Sequence, residues 1–168
     1  MKTTITVLAL SLAFALPTAV HAQSGADHAH APASVAQAID VPEAAKAPVS
    51  VVDAFGAALE ASDFGQVEAL LDPAVIILET GGAERSRSEY LGHHAKSDAK
   101  FLSGTHSQLT HRTARVDGDT AWVASERELH ASKDGKPMTL SSTETMVLAN
   151  TAEGWRIVHI HWSSRPKK

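Results

Sequence analysis

Apolar and polar positions change their period twice along this chain. From Val49 the apolar residues Val51, Val52, Phe55, Ala58 and Leu59 recur at helical spacing, with Ser50 placed to cap the helix. Ser62-Asp63-Phe64-Gly65 punctuates the pattern, and a short second helix carrying Val67, Leu70 and Leu71 is stopped by Asp72-Pro73. Val75 to Glu79 is β-branched and apolar and reads as a strand; Gly81-Gly82 turns the chain. Ser88 opens a third helix holding Glu89, Tyr90, Leu91, His93, His94, Asp98 and Phe101, and Gly104 follows its end. Four strands are then predicted, His106 to Val116, Thr120 to His130, Met138 to Ala149 and Trp155 to Ser163, separated by Asp117-Gly118, Lys133-Asp134-Gly135 and Glu153-Gly154. Helices followed by a run of antiparallel strands predict an α+β fold, with the helices closing the concave side of a curved sheet. Trp122 and Trp155, each among apolar strand neighbours, are expected to be buried.

Before Val49 the composition is different. Lys2, an apolar run from Ile5 to Leu16, the break at Pro17 and the small residues of Val20-His21-Ala22 have the order of a secretory signal. The run is shorter than the roughly 20 residues that span a bilayer. The expected organisation is a signal peptide over 1–22, a disordered tail or linker over 23–47 rich in Ala, Pro, Ser, Asp and His, and one domain over 48–165. Deleting the tail is expected to leave the domain's stability nearly unchanged. The expected location is periplasmic or secreted, with no stable membrane insertion once the signal is cleaved.

Charge narrows the partners. Removing residues 1–22 takes away Lys2 alone among the charged side chains, leaving 14 basic against 19 acidic groups. The only basic cluster is Arg165-Pro166-Lys167-Lys168. Nucleic acid is not an expected partner, because binding it requires clustered Lys and Arg. The chain has no cysteine, so neither a disulfide nor a thiolate metal site is available.

Certain segments resemble a known group. Val52-Asp53-Ala54-Phe55, Gly81-Gly82 with Ser88-Glu89-Tyr90, Val116-Asp117-Gly118-Asp119-Thr120-Ala121-Trp122 and the final Gly154-Trp155-Arg156-Ile157-Val158-His159-Ile160-His161-Trp162-Ser163 are similar to SnoaL-like and DUF4440-type domains of the nuclear-transport-factor-2-like superfamily. The resemblance covers about residues 50 to 164. It implies a cone in which three N-terminal helices pack on a strongly curved, mainly antiparallel sheet around a pocket, and often a homodimer through the outer sheet face. Members include polyketide cyclases, ketosteroid isomerases and binding domains, so the fold alone does not fix the chemistry. None of the acids Glu79, Glu126, Glu128 and Glu144 is selected by sequence as a catalytic base.

Histidines are the candidate chemistry. In a strand, His159 and His161 point to one face, about 6.5–7 Å apart; they could hold copper or zinc if a third ligand came from elsewhere, or be hydrogen-bonded within the sheet or at a dimer face. Alternation puts Trp155, Ile157 and Ser163 on that face and Ile160 and Trp162 on the other. His94 and Asp98 are four residues apart on a helix and share a face, as a metal ligand with its carboxylate or as an oriented base. His94 is the expected third metal ligand, because the resemblance places the third helix over the pocket mouth. His94, Tyr90 and Trp155 are the expected ligand-binding residues. His106 and His111, five apart in one strand, are expected on opposite faces. Arg85 and Arg87, after the glycine turn, could receive an anion or be solvated.

Three functions fit these features. One is an exported binding module with a histidine-containing pocket for a transition-metal ion or a small organic ligand. Another is an acid–base enzyme of isomerase, cyclase or dehydratase type acting on a small apolar substrate, with His94 and Asp98 as the leading base and His159 or His161 as its partner. The last is a structural dimerisation domain. A carboxyl buried beside an apolar cavity would favour the enzyme.

Overall fold

The computed structural model describes residues 38–167. The expected signal peptide and residues 23–37 of the expected tail lie outside them. The described chain forms strand β1 (Ala38–Asp40), a 3-10 turn (Glu43–Ala45), helices α1 (Lys46–Glu60) and α2 (Phe64–Leu70), strands β2 (Leu71–Glu79) and β3 (Gly82–Glu84), helices α3 (Arg87–Gly92) and α4 (His94–Ser103), and the meander β4 (His106–Asp117), β5 (Thr120–Lys133), β6 (Lys136–Thr151) and β7 (Gly154–Pro166). This is the expected α+β order with additions. All seven strands form one sheet in the order β1-β4-β5-β6-β7-β2-β3. β1 runs parallel to β4 and β2 parallel to β7; the other pairings are antiparallel. Among the described residues no helix is long and apolar enough to cross a membrane.

Residues 38–47 are not a tail. Ala38, Ile39 and Asp40 pair with His111, Arg112 and Thr113. Asp40 meets Arg115, and Ala45 is fully buried. The helix therefore starts four residues before the expected cap, with Pro48 in its first turn, where a missing N–H costs nothing. Ser50 lies one turn inside and bonds back to the Lys46 carbonyl at 3.0 Å. The expected third helix is two helices. The backbone breaks at His93 (φ −127°, ψ −84°), which caps neither neighbour with its side chain.

One face of the sheet carries the core. Ala114, Val123, Met146, Ile160 and Ile77 occupy a single row across β4, β5, β6, β7 and β2, and all are buried. Val52, Phe55 and Leu59 of α1, with Tyr90 of α3 and Ala95 of α4, join them in one cluster. Gly154 (φ +99°) closes the tight β6–β7 turn and fixes the register as far as Leu148 opposite Ile157; the bulge that follows then places Glu144 opposite Trp162.

Bulges reassign faces that simple alternation predicts. In β7, Ile157 pairs with Leu148 and His159 with Val147, so Val158 is an extra residue. Beyond it Ile160 and Trp162 point to the core face, the same as Ile157, while His159 and His161 point outward. A second bulge at Thr110 puts His106 and His111 on the same outer face, opposite His130 and Glu126. Trp122, expected to be buried, lies on the outer face and is 40% exposed. Trp155 is half-buried against the core.

Candidate functional site

Above the buried row lies a second row of core-facing residues: Arg112, Ser125, Glu144, Trp162 and Glu79, one from each of β4, β5, β6, β7 and β2. Four of the five line a cavity of about 340 Å³ closed by α1 and α4. Val52, Phe55, Leu59, Phe101, Leu102 and Leu129 give it apolar walls; Asp98, Glu79 and Glu144 are carboxyls at its surface. The volume is at the small end of ligand pockets, which run from about 300 to 1,000 Å³.

Asp98 is positioned by Tyr90. Ser86 caps α3 by accepting from the Glu89 N–H at 3.1 Å, and Glu89 reaches back to accept from the Arg85 N–H at 2.7 Å. Arg87 anchors the same helix through the carbonyls of Glu68 and Leu71, each at 3.2 Å. Its role is structural bridging rather than anion capture. Tyr90 is thereby held fully buried, 6.3 Å from the Trp162 ring, and its hydroxyl donates to Asp98 Oδ2 at 2.9 Å. Trp162 also stacks on Phe55 and donates through Nε1 to Glu144 Oε2 at 2.8 Å.

Burial lifts the Asp98 carboxyl above its ordinary range, and the Tyr90 hydroxyl and His94 partly offset this. Burial likewise raises Glu79; the Asp98 charge raises it further and His94 opposes. The Tyr90 phenol is pushed up strongly, first by desolvation and then by the Asp98 charge, so it remains a donor.

The structure distributes the expected site residues unevenly. Asp98 lines the cavity, with Tyr90 directly behind it. His94 begins α4 on the same helix as Asp98, but its Nδ1 contacts the buried Glu84, which sequence did not suggest as a partner, and its side chain is more than half exposed. Trp155 does not line the cavity; Trp162, seven residues on, does. His159 and His161 do not face the cavity. Their side chains lie on the outer sheet face, where His159 Nδ1 bonds to the Ile76 carbonyl at 2.9 Å. Glu84 pairs with Ile77, and Ile77 with Ile160, so the His94 contact belongs to the core-facing side. The three expected metal ligands are therefore split between two faces, and among the described residues no cluster of three His, Cys, Asp or Glu could hold a metal ion. Glu79 and Glu144 were visible in the sequence only as two acids among four. Strand parity could have chosen them: Glu79 is in phase with Val75 and Ile77, and Glu144 with Met146 and Leu148.

The family profile of the SnoaL-like domain matches residues 49–166. The chain belongs to the SnoaL-like domain family. A protein of Shewanella frigidimarina NCIMB 400, provisionally named a ketosteroid isomerase, is 33% identical with a TM-score of 0.70, over 75% of this chain and 100% of that one. A CaMKII hub from S. rosetta is 24% identical at TM-score 0.60, over 71% and 95% of the two chains. A nuclear-transport-factor-2-like protein from Salmonella enterica serovar Typhimurium is 21% identical at TM-score 0.61, over 71% and 89%. The last two share the fold, a cone of helices on a sheet. None of the curated proteins matches the chain. Family and cavity together describe a small-molecule-binding or isomerase-type SnoaL-like domain.

Proposed function

We propose that this SnoaL-like domain is an acid–base enzyme of isomerase type acting on a small, largely apolar molecule, with Asp98 as base and Glu79 as acid. The observation that carries this reading is a pair of carboxyls on the wall of one apolar cavity, each pushed upward by burial and unequal in environment. Asp98 accepts the Tyr90 hydroxyl, which favours its ionised form. Glu79 faces the Asp98 charge, which favours its protonated form. Environments that separate two titrating groups in this way assign acid and base roles, and the apparent values belong to the pair. For a β,γ-unsaturated ketone, the Asp98 carboxylate removes an α-proton and the electron pair moves to form a dienolate. Glu79 then gives its proton to the γ-carbon, leaving the conjugated ketone. Proton transfer from Asp98 back to Glu79 restores the starting state.

The test is the absorbance of the conjugated product from cyclohex-3-enone and from a 3-oxo-Δ5-steroid, the latter motivated by the name of the Shewanella protein. Asp98→Asn and Glu79→Gln should each lower the rate by roughly 10²–10⁴, the usual contribution of a positioned acid or base. No conversion of either ketone by the parent protein would overturn the reading.

Two companion proposals concern surroundings. The exposed apolar residues Ile76, Leu78 and Trp122 support a homodimer through the outer sheet face. The Lys2 and Ile5–Leu16 segments support export to the periplasm or beyond, checked by recovering a chain that begins at Gln23. A copper or zinc site has weaker support, since His159 and His161 offer a pair of imidazoles with no third ligand among the described residues.

A further inference from the structure

The cavity row that ends in Glu79 begins, on β4, with Arg112. Arg112 is 4% exposed. Its Nε donates to Ser125 Oγ at 3.2 Å and its Nη1 to Asp53 Oδ1 at 2.7 Å; Nη2 is buried and finds no partner among the described residues. A guanidinium is always charged and carries five N–H donors, and leaving a buried charged donor unpaired is costly. The row beside it towards the core, Ala114, Val123, Met146 and Ile160, is apolar and supplies no partner for it.

Both partners of Arg112 line the cavity. Arg127, two residues beyond Ser125 on the same face of β5, lines it too and donates to Ser107 Oγ at 3.2 Å. Ser142, paired with Arg127, and Ser164, paired with Ser142, complete a hydroxyl-lined end. α1 contributes the carboxylates Asp53 and Glu60 to the cavity lining, and Glu144 follows Ser125 in the row. Asp53, whose side chain is 53% exposed, is the acid that touches Arg112. An exposed side chain from a helix is thus the counter-ion of a buried cation that sits behind the cavity wall, held by two residues that line it.

We propose that the Arg112 end of the cavity is a carboxylate subsite, so that the domain's ligand is a small organic acid with an apolar body, and that Asp53 holds the place the ligand carboxylate takes. This deepens the proposed function and rests on its premise that the cavity binds a small apolar molecule. A planar carboxylate accepts two parallel N–H bonds from one guanidinium, which uses the unpaired Nη2. One charge is the right number: Asp53 satisfies a single guanidinium position, and the ligand carboxylate replaces it. The apolar body then lies along Phe55, Leu59 and Trp162, with Asp98 and Glu79 towards the other end of the row.

The test is isothermal titration of the whole protein with hexanoate and with hexanamide, which has the same size without the charge, at constant ionic strength. Hexanoate should bind at least tenfold more tightly. Arg112→Lys keeps a charge but loses the fork, and should erase most of that preference. Asp53→Asn removes the internal competitor and should tighten hexanoate several-fold, whereas an ion pair that served only stability would leave binding unchanged or weaken it. Because Asp53 is half exposed, this variant remains informative if Arg112→Lys fails to fold. Equal affinity for the two probes, an undiminished preference in Arg112→Lys, or weaker hexanoate binding by Asp53→Asn would each overturn the subsite. Turnover of neutral ketones without a hexanoate preference would reject the subsite and keep the isomerase; a hexanoate preference without turnover would do the reverse.

Discussion

The buried Tyr90 hydroxyl donates to Asp98 Oδ2 at 2.9 Å, and this bond joins the core of the domain to a carboxyl on its cavity wall. It also opposes the effect of burial on Asp98, because a donor to the ionised form favours that form. Tyr90→Phe leaves the packing of the ring in place and removes only the donor. Asp98 should then be lifted further, so the acid limb of the pH–rate profile should move to higher pH. The rate at neutral pH should fall by roughly tenfold or more. A pH–rate profile that keeps its acid limb in place would show that Asp98 is not the group that must ionise.

Glu79 predicts a stability effect of definite sign. Its folded-state pKa is raised, chiefly by burial and then by Asp98, so the folded protein binds this proton more tightly than the unfolded chain does. That contribution to stability is fully present below the ordinary pKa of 4.5 and is lost as pH rises through the raised value. Glu79→Gln removes the titration. Urea melts should find the variant about as stable as the parent near pH 4 and more stable near pH 8, with a higher melting temperature there. Stabilisation accompanied by lost turnover is the usual trade at a site held for chemistry. Equal stabilisation at both pH values would mean that packing, and not charge, is responsible.

The segment before α1 supports a prediction opposite to the one its composition suggests. Its strand residues hydrogen-bond along β4, and Ala45 is sealed in the core. The Asp40–Arg115 pair adds little, being solvent-exposed. A chain starting at Pro48 should be less stable than one starting at Ala38 by roughly 1–3 kcal/mol, from a few ladder bonds and the buried turn. Urea midpoints of the two chains decide it; coincident midpoints would return residues 38–47 to the status of a tail.

Much of the fold is readable from periodicity, and the failures share a cause. The helices at Phe55 and Val67 and the four long strands follow from apolar spacing and from the glycine and aspartate turns between them. β1 and β3 have three residues each, too few for any period to show, and β1 exists because β4 offers an edge to pair with. The site was harder because a one-residue bulge is invisible to alternation. Val158 flips the phase of β7, which moves Trp162 into the cavity and His159 and His161 out of it. Asp98 and Tyr90 were both candidates, but their contact crosses the break at His93, and a single continuous helix would not have revealed it. Arg112 drew no notice because its value as a site residue depends on burial alone.

Outward-facing residues provide the last prediction. Register aligns Arg115, Trp122, Val147, His159 and Ile76 across the outer face, with Leu78 one step along β2. Trp122, Ile76 and Leu78 are 40%, 46% and 38% exposed, which leaves three large apolar side chains in solvent on the outer face of the sheet. If two copies bury this face, Trp122, its large exposed aromatic side chain, should be an anchor, since buried aromatic residues dominate interface energies. Trp122→Glu places a charge in that contact and should raise the dimer dissociation constant by about 100-fold, corresponding to a hot spot of at least 2 kcal/mol. The fold itself should tolerate the change, because the side chain is already partly solvated. Ile39→Glu is the control: Ile39 is 50% exposed but pairs with Arg112, away from this row. Sedimentation velocity over a concentration series should find the parent and Ile39→Glu dimeric and Trp122→Glu monomeric, with unchanged circular dichroism in all three. A parent protein that stays monomeric throughout, or a Trp122→Glu variant that still dimerises, would remove the outer sheet face as the contact between copies.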